Sequence, residues 1–166
     1  MKSIPTWSNL IGLKFKNVSI IGLANFPELN RYYINDSKKS YLYTNKKKFV
    51  IKTKNKKDFK KIKIIGNFHY DLNYKKNQNL ISKLKKNINI LTLDALSYCF
   101  LAEGKIDAVI ETNLKPYDII PLIPIIKKAG GVITTWANEP AENGGNILAT
   151  SNSNLHKKIL KVIRRS

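Results

Sequence analysis

The chain has 166 residues, a length that suits one domain, or one and a fraction, and that suffices to bury a core. No apolar run is long enough to cross a membrane, and Met1-Lys-Ser-Ile-Pro5 is followed by no signal-peptide core, so we expect a cytoplasmic protein. The single cysteine, Cys99, excludes an internal disulfide and falls in an apolar helical pattern, where we expect a core residue.

The net charge of +19 raises the question of nucleic-acid binding. Of the 30 basic residues, 27 are lysines, whereas surfaces that contact phosphates and bases favour arginine for bidentate hydrogen bonds. The lysines occur amid abundant Asn and Ile, a composition typical of an AT-rich genome. We therefore predict no specific nucleic-acid partner, but weak, salt-sensitive adhesion to polyanions.

The first part of the chain predicts an antiparallel meander with strands at residues 4–13, 18–23 and 31–34. Asn17 supplies the first turn. Three aromatic residues suit a half-buried sheet, and packing is their default role: Trp7, Tyr32 and Tyr33. A lysine-rich stretch at 46–63 includes one further short strand around 49–51, and we interpret its lysines as a solvated face.

The remainder of the chain alternates strands and helices, which favours an α/β layer. The predicted strands are 62–66, 88–93, 107–111, 132–136 and 146–150, and the predicted helices are 78–87, 94–103 and 154–163, with a further helix after Asp118. His69, in a loop, and His156, on an exposed helix, are assigned no role.

Residues 107–131 carry the most informative pattern. A short apolar strand at 107–111 leads through a loop at 113–116 to Asp118, which occupies the position of a helix N-cap. Gly130-Gly131 ends the following apolar helix as a left-handed C-cap would. A strand that delivers an acidic residue through a short loop to a helix start is a common way to build a phosphate or metal site.

This region also carries a family resemblance. Leu114-Lys-Pro-Tyr-Asp118, followed by Pro124-Ile-Ile-Lys-Lys-Ala-Gly-Gly131, resembles the C-terminal signature of the inositol monophosphatase family, and its spelling is closest to the histidinol-phosphatase-like branch. Asp94 to Gly104 resembles that family's preceding helix, and Gly144 to Ser151 its closing strand. The resemblance implies a layered α-β-α-β-α sandwich of the α/β class. Residues 1–66 would form part of the first antiparallel sheet, and 67–166 the C-terminal α/β unit.

The resemblance further implies Mg²⁺-dependent hydrolysis of a small phosphomonoester, with histidinol phosphate as a candidate substrate. Asp118 matches a metal ligand of the family. Glu111 and Asp94 match positions that contact substrate, and Tyr117 could line the same pocket. From the residues alone, each has another explanation: Asp118 and Asp94 as helix N-caps, Glu111 as an acid at a strand end, and Tyr117 as a packing residue.

The family's other metal ligands have no match in this sequence. They come from an N-terminal helix and an Asp-Pro-Ile-Asp-Gly-Thr motif, whereas Asp36, Asp58 and Asp71 lie in lysine-rich or loop surroundings. Since Mg²⁺ relies on several oxygen ligands, we expect an incomplete site in the isolated chain, unless a partner chain or an upstream segment supplies the missing carboxylates, and we assign no catalytic residue. A complementary N-terminal chain or a homodimer is the expected partner, with no membrane association. The alternative is a non-catalytic remnant or an association subunit of the same fold.

Overall fold

The computed structural model describes residues 5–54, 61–68 and 75–166. The predictions that involve His69, Asp58 and Asp71 lie outside these residues. The first sheet has five antiparallel strands in sequential order. They are β1 (Asn9–Phe15), β2 (Val18–Phe26), β3 (Arg31–Asn35), β4 (Ser40–Thr44) and β5 (Lys47–Ile51), with a 3₁₀ turn at Pro27–Leu29 between β2 and β3.

Tight turns fix the register of this meander. Lys16 and Asn17, between β1 and β2, both have positive φ, at 46° and 63°. Asn45 and Lys46, between β4 and β5, also have positive φ, at 49° and 59°. Two central residues with positive φ match the right-handed twist of the flanking strands, which is why such turns join hairpins. The predicted turn at Asn17 is confirmed, whereas β4 was not predicted.

The second sheet is mixed and has the strand order β7-β6-β8-β10-β9. Its strands are β6 (Ile64–Asn67), β7 (Ile88–Ile90), β8 (Ala108–Leu114), β9 (Val132–Thr135) and β10 (Gly145–Thr150). Strand β6 runs parallel to β7 and β8, and β10 runs antiparallel to β8 and β9. The helices are α1 (Lys75–Leu84), α2 (Ala95–Ala102), α3 (Pro116–Ile119), α4 (Leu122–Lys128) and α5 (Ser153–Arg164), with a 3₁₀ turn at Ala141–Asn143.

Strand β8 separates two hydrophobic cores because its side chains alternate between the faces of the sheet. Val109 belongs to the core that also contains α2, α4 and the inner face of the first sheet. Ala108 and Ile110 belong to the core beneath α1 and α5. The described residues therefore stack as sheet, helices, sheet, helices, which confirms the predicted layered α/β fold.

The first sheet and α4 approach each other closely at Gly22. A Cβ atom at this position would lie 1.7 Å from the carbonyl oxygen of Pro121, at the start of α4. A second tie joins the first sheet to α2, where the Tyr33 hydroxyl donates to Glu103 Oε1 at 2.5 Å. These contacts hold the sheet against the helices that carry the candidate site.

Burial confirms some expectations and corrects others. Cys99 and Tyr33 are fully buried, and Tyr32 is partly exposed. Trp7 is 54% exposed and precedes β1, so the prediction of a half-buried sheet residue is wrong for it. The proposed division of the chain at residue 66 stays a prediction, although β6 pairs entirely within the second sheet.

One face of the first sheet is covered by no described element. Leu10 packs against the core and Gly12 faces Pro121, so the alternating residues Ile11 and Leu13 point to the opposite side. Ile21 pairs with Leu13 on that side. We call Ile11, Leu13 and Ile21 the outer face, and all three are exposed.

In the part of the chain that the structure describes, no helix is long and apolar enough to cross a membrane.

Candidate active site

A cavity of about 280 Å³ lies where β8 ends and α3 begins. Its lining brings together three of the predicted site residues, Asp94, Glu111 and Asp118, from α2's start, β8 and α3 respectively. Tyr98 and Asn113 are the other polar lining residues, and Leu10, Ala95, Leu114 and Leu122 form the apolar wall. The three carboxylates, which are separated by up to 24 positions in the sequence, thus line one space.

Asp118 is not the helix N-cap, which corrects the prediction from spacing. Lys115 occupies the N-cap position of α3, and Asp118 is the third helical residue. Its Oδ2 accepts a hydrogen bond of 2.8 Å from the Lys115 backbone N–H, as an acidic residue at this position commonly does. No described residue donates to Asp118 Oδ1. One carboxylate oxygen therefore serves the helix start while the other has lone pairs for a further partner.

The helix after Asp118 is also interrupted, where a single helix was predicted. Helix α3 ends at Ile119 and α4 begins at Leu122, with Pro121 between them. Proline has no backbone N–H to donate within a helix, so it favours a new helix start at this point. Gly130, with a φ of 98°, ends α4, and the Gly131 N–H donates to Ile126 O at 2.9 Å, which confirms the predicted C-cap.

Glu111 and Asp94 share one hydrogen-bond donor. The side-chain nitrogen of Asn67 donates to Glu111 Oε1 at 2.8 Å and to Asp94 Oδ1 at 3.2 Å. Asp94 lies at the N-cap position of α2 but makes no side-chain capping bond, and its φ of 44° and ψ of −130° are unusual for a cap. The structure therefore does not support capping as the reason for an acid at this position.

Tyr98 adds a buried hydroxyl to the cavity wall. Its side chain is almost completely buried, and its hydroxyl oxygen has no hydrogen-bond partner among the described residues. Burial, with the nearby Glu111 carboxylate as a second cause, raises the pKa of this phenol well above its usual value. The hydroxyl consequently stays protonated, as a hydrogen-bond donor beside the Glu111 carboxylate.

Tyr117, by contrast, is not brought to this space. It is 71% exposed and does not line the cavity, although it neighbours Asp118 in sequence.

His156 also lies away from the cavity, and the prediction that it sits on an exposed helix is wrong. His156 is buried, and its two ring nitrogens lie 2.9 and 3.0 Å from the hydroxyls of Thr134 and Thr150.

The cavity can supply part of a metal site. Hard carboxylate oxygens suit Mg²⁺, and Asp118 has one available. Within residues 5–54, 61–68 and 75–166, however, no group of three His, Cys, Asp or Glu side chains is close enough to hold an ion. The described residues therefore fit a single point of attachment for a divalent cation, and not a complete coordination shell.

Three polar residues at this site, Asn67, Tyr98 and Asn113, were not predicted as site residues. Tyr98 is four residues after Asp94, so the pattern of a helix would have placed both on one face. Asn67 ends strand β6, and it pairs with Glu111 in the parallel register between β6 and β8. That register joins residues 44 positions apart and has no signal in a single sequence.

Comparisons with known proteins point to one family. The model of the inositol monophosphatase family matches residues 1–166. The chain is 34% identical over 86 residues to the bifunctional phosphatase IMPL2 of Arabidopsis thaliana, a match that covers 46% of this chain and 25% of that protein. It is 36% identical over 67 residues to the histidinol-phosphatase of Mycobacterium tuberculosis, covering 40% and 25%.

Solved structures show the same fold. An inositol monophosphatase from Zymomonas mobilis superposes with a TM-score of 0.83 at 24% identity, covering 96% of this chain and 63% of that chain. SuhB from Mycobacterium tuberculosis gives 0.83 at 16% identity, covering 97% and 65%. The chain thus spans less than two thirds of the length of these relatives. Because the family model extends over every residue, the chain belongs to the inositol monophosphatase family.

Proposed function

We propose that this chain forms part of a Mg²⁺-dependent phosphatase that hydrolyses a small phosphomonoester. Asp118 would be a metal ligand, and Glu111 and Asp94 would contact the alcohol part of the substrate. The observation that carries the proposal is the convergence of these three carboxylates on one cavity at the β8–α3 junction. The named phosphatases among the relatives support the same reaction class.

The charge of the cavity supports the need for a metal ion. Three carboxylates line it, and none of the described lining residues is basic. A phosphate dianion would be repelled by such a wall at short range. A divalent cation between the carboxylates and the phosphate would reverse that repulsion, and when bound it supplies Lewis-acid stabilisation of the phosphoryl oxygens. The chain's own contribution is to hold Asp118 at the helix start and to keep the wall rigid.

Further ligands are required, because Mg²⁺ keeps several oxygens in its shell. We infer that they come from polypeptide beyond these 166 residues: a segment upstream in the same protein, a complementary N-terminal chain, or a second copy of this chain. The outer face of the first sheet supports this inference, since exposed contiguous apolar residues commonly mark an interaction surface. Leu10 lines the cavity from the opposite side of this sheet, so a partner docked on the outer face would extend past the edge strand β1 to reach the cavity.

Histidinol phosphate is the substrate that we propose. One relative is named a histidinol-phosphatase, and an acidic cavity suits an alcohol that carries a positive charge. An uncharged polyol such as inositol would make hydrogen bonds to the same carboxylates without the ionic component. We therefore expect histidinol phosphate to be preferred over inositol monophosphate.

The test is Mg²⁺-dependent release of phosphate from both esters, by the chain alone and by the chain mixed with the N-terminal half of a family member. We expect activity only in the mixture. Asp118→Asn should abolish it, because the amide oxygen is a weak ligand for Mg²⁺. Glu28→Gln, at an exposed carboxylate in the 3₁₀ turn after β2, is the matched control and should retain full activity.

The competing function is a non-catalytic one, an association subunit or a remnant. It is favoured by the absence of a three-ligand acidic group among the described residues. It predicts that no sample releases phosphate in the assay. It also predicts that Mn²⁺, a paramagnetic substitute for Mg²⁺, does not bind near Asp118. Activity that survives Asp118→Asn would contradict the assignment of the metal ligand and leave the reaction class standing.

A further inference from the structure

Asn67 occupies a central position next to the cavity. It is the last residue of β6, and the parallel register places it beside Glu111 on β8. Both side chains are buried, at 5% and 1% exposure. Side chains at paired positions of adjacent parallel strands lie on the same face of the sheet, so Asn67 reaches Glu111 without any distortion of the backbone.

The chemistry of the amide explains the geometry around it. A side-chain amide nitrogen carries two hydrogens, and here it has two carboxylate acceptors, Glu111 Oε1 at 2.8 Å and Asp94 Oδ1 at 3.2 Å. Two carboxylates held so near a common atom repel each other. A shared donor offsets the repulsion. Because the amide is neutral, it does so without cancelling the negative charge that faces the cavity.

From this arrangement we propose that Asn67 is a positioning residue, which fixes the spacing of Asp94 and Glu111 so that the pair forms a two-point acceptor for donor groups on the alcohol part of the substrate. The inference rests on the proposed function and adds a specificity determinant to it. Asn67 itself need not touch the substrate. Its contribution is that both carboxylates are held in place, and aimed at one ligand, before the ligand arrives.

The consequence is selectivity for alcohols that carry hydrogen-bond donors. An ester such as p-nitrophenyl phosphate offers no donor on its alcohol part, so its hydrolysis should be indifferent to the spacing of the pair. Histidinol phosphate offers an ammonium and a ring N–H. Loss of the shared donor should therefore raise the KM for histidinol phosphate about tenfold, the effect of one charge-assisted hydrogen bond, with little change in kcat.

The test compares Asn67→Leu, which keeps the approximate volume and removes both donors, with Asn77→Leu, at a buried asparagine on α1. The first readout is binding of L-histidinol to the full chain, followed by NMR without any need for activity. We expect the wild-type chain and Asn77→Leu to bind alike, and Asn67→Leu to bind about tenfold more weakly. The second readout is KM and kcat for the two esters in the reconstituted sample.

The inference would be overturned if Asn67→Leu lost the same factor in kcat/KM for both esters, because that is the result of a purely structural role. It would also be overturned if Asn67→Leu bound histidinol as the wild-type chain does, because Asn67 would then have no role in binding. A wild-type chain that binds no histidinol while the reconstituted sample hydrolyses p-nitrophenyl phosphate would also overturn it and leave the phosphatase intact. Histidinol binding that depends on Asn67, without phosphate release in any sample, would support the paired acceptor and contradict the proposed reaction.

Discussion

His156 shows how burial changes the chemistry of one residue. Its imidazole, on the buried face of α5, lies between the hydroxyls of Thr134 and Thr150, so in the neutral ring one nitrogen donates and the other accepts. Burial lowers the pKa of this histidine from its ordinary value of 6.5 to about 4. The neutral form is therefore the native form near pH 7, and the residue links the end of β10 to the helix that follows it.

A pH dependence of stability follows from that pKa. Between pH 6.5 and about 4 the unfolded chain binds a proton that the folded chain does not, so the free energy of unfolding should fall as the pH falls through this range. The loss from this residue should be about 2 to 3 kcal/mol. Urea unfolding at pH 7, 5.5 and 4.5 measures it. His156→Gln should unfold with a shallower pH dependence, and identical slopes in both proteins would contradict the assignment.

Individual site residues were predictable from the sequence to an uneven degree. Asp118, Glu111 and Asp94 stand in motifs that resemble a known family, and the structure places all three on one cavity. The local role of Asp118 was predicted wrongly. An acidic side chain accepts from a free backbone N–H at the helix start either as the N-cap or, as Asp118 does, from the third helical position, and spacing alone does not separate the two. The burial of His156 was missed although its spacing from Ile159, Leu160 and Ile163 places it on the apolar face of α5.

At the scale of elements, the contact between β2 and α4 decides how the first sheet meets the helices. The backbone of Pro121 lies directly over Gly22, with no room for a side chain. Glycine is therefore required here by close approach and not by its φ. The same contact orients α4, and with it α3 and Asp118, relative to the sheet that contributes Leu10 to the cavity.

Gly22→Ala should accordingly be among the most destabilising single substitutions in the chain. The new methyl group would meet the Pro121 carbonyl oxygen at 1.7 Å, and backbone cannot move aside as a flexible side chain can. We expect a loss of about 3 kcal/mol in the free energy of unfolding. Gly145→Ala is the comparison, since its Cβ would meet nothing within 4 Å and only its φ of 96° is unfavourable. A cost near 1 kcal/mol is expected there.

The elements themselves divide into predictable and unpredictable ones for physical reasons. The alternation of strands and helices after residue 62 was predicted because each element has one strong apolar period or a clear stop such as Gly104 or Gly130. Strand β4 was missed because Ser40–Thr44 is rich in hydroxyl groups, and its place in the sheet is set by its neighbours β3 and β5. The break between α3 and α4 falls at Pro121, a local signal that the prediction of one continuous helix passed over.

The whole molecule combines a surface of net charge +19 with a cavity walled by carboxylates. The excess of lysine spreads over most elements, whereas the three acids of the cavity line one space. The field of the molecule should therefore attract anions to its surface in general, while the cavity itself admits an anion only together with a cation.

Adhesion to polyanions should be measurable and strongly dependent on salt. We expect the chain to be retained by heparin at low ionic strength and released steeply as salt rises, because displaced counterions supply most of the binding free energy. DNA duplexes of unrelated sequence should compete equally. Tight binding to one sequence at physiological salt would contradict the prediction that no specific nucleic-acid partner exists.

Cys99 gives the molecule a built-in reporter. The thiol is fully buried on α2 against the first sheet, and burial raises its pKa well above the usual value, so a thiol reagent in solvent meets neither the atom nor the reactive thiolate. Labelling must await an opening that separates α2 from that sheet. Because the chain has a single cysteine, the labelling rate, measured as the reagent concentration is raised, reports the rate of that one opening. If a docked partner chain slowed the labelling of Cys99, the partner would be shown to restrain the separation of α2 from the sheet, in addition to contacting the surface.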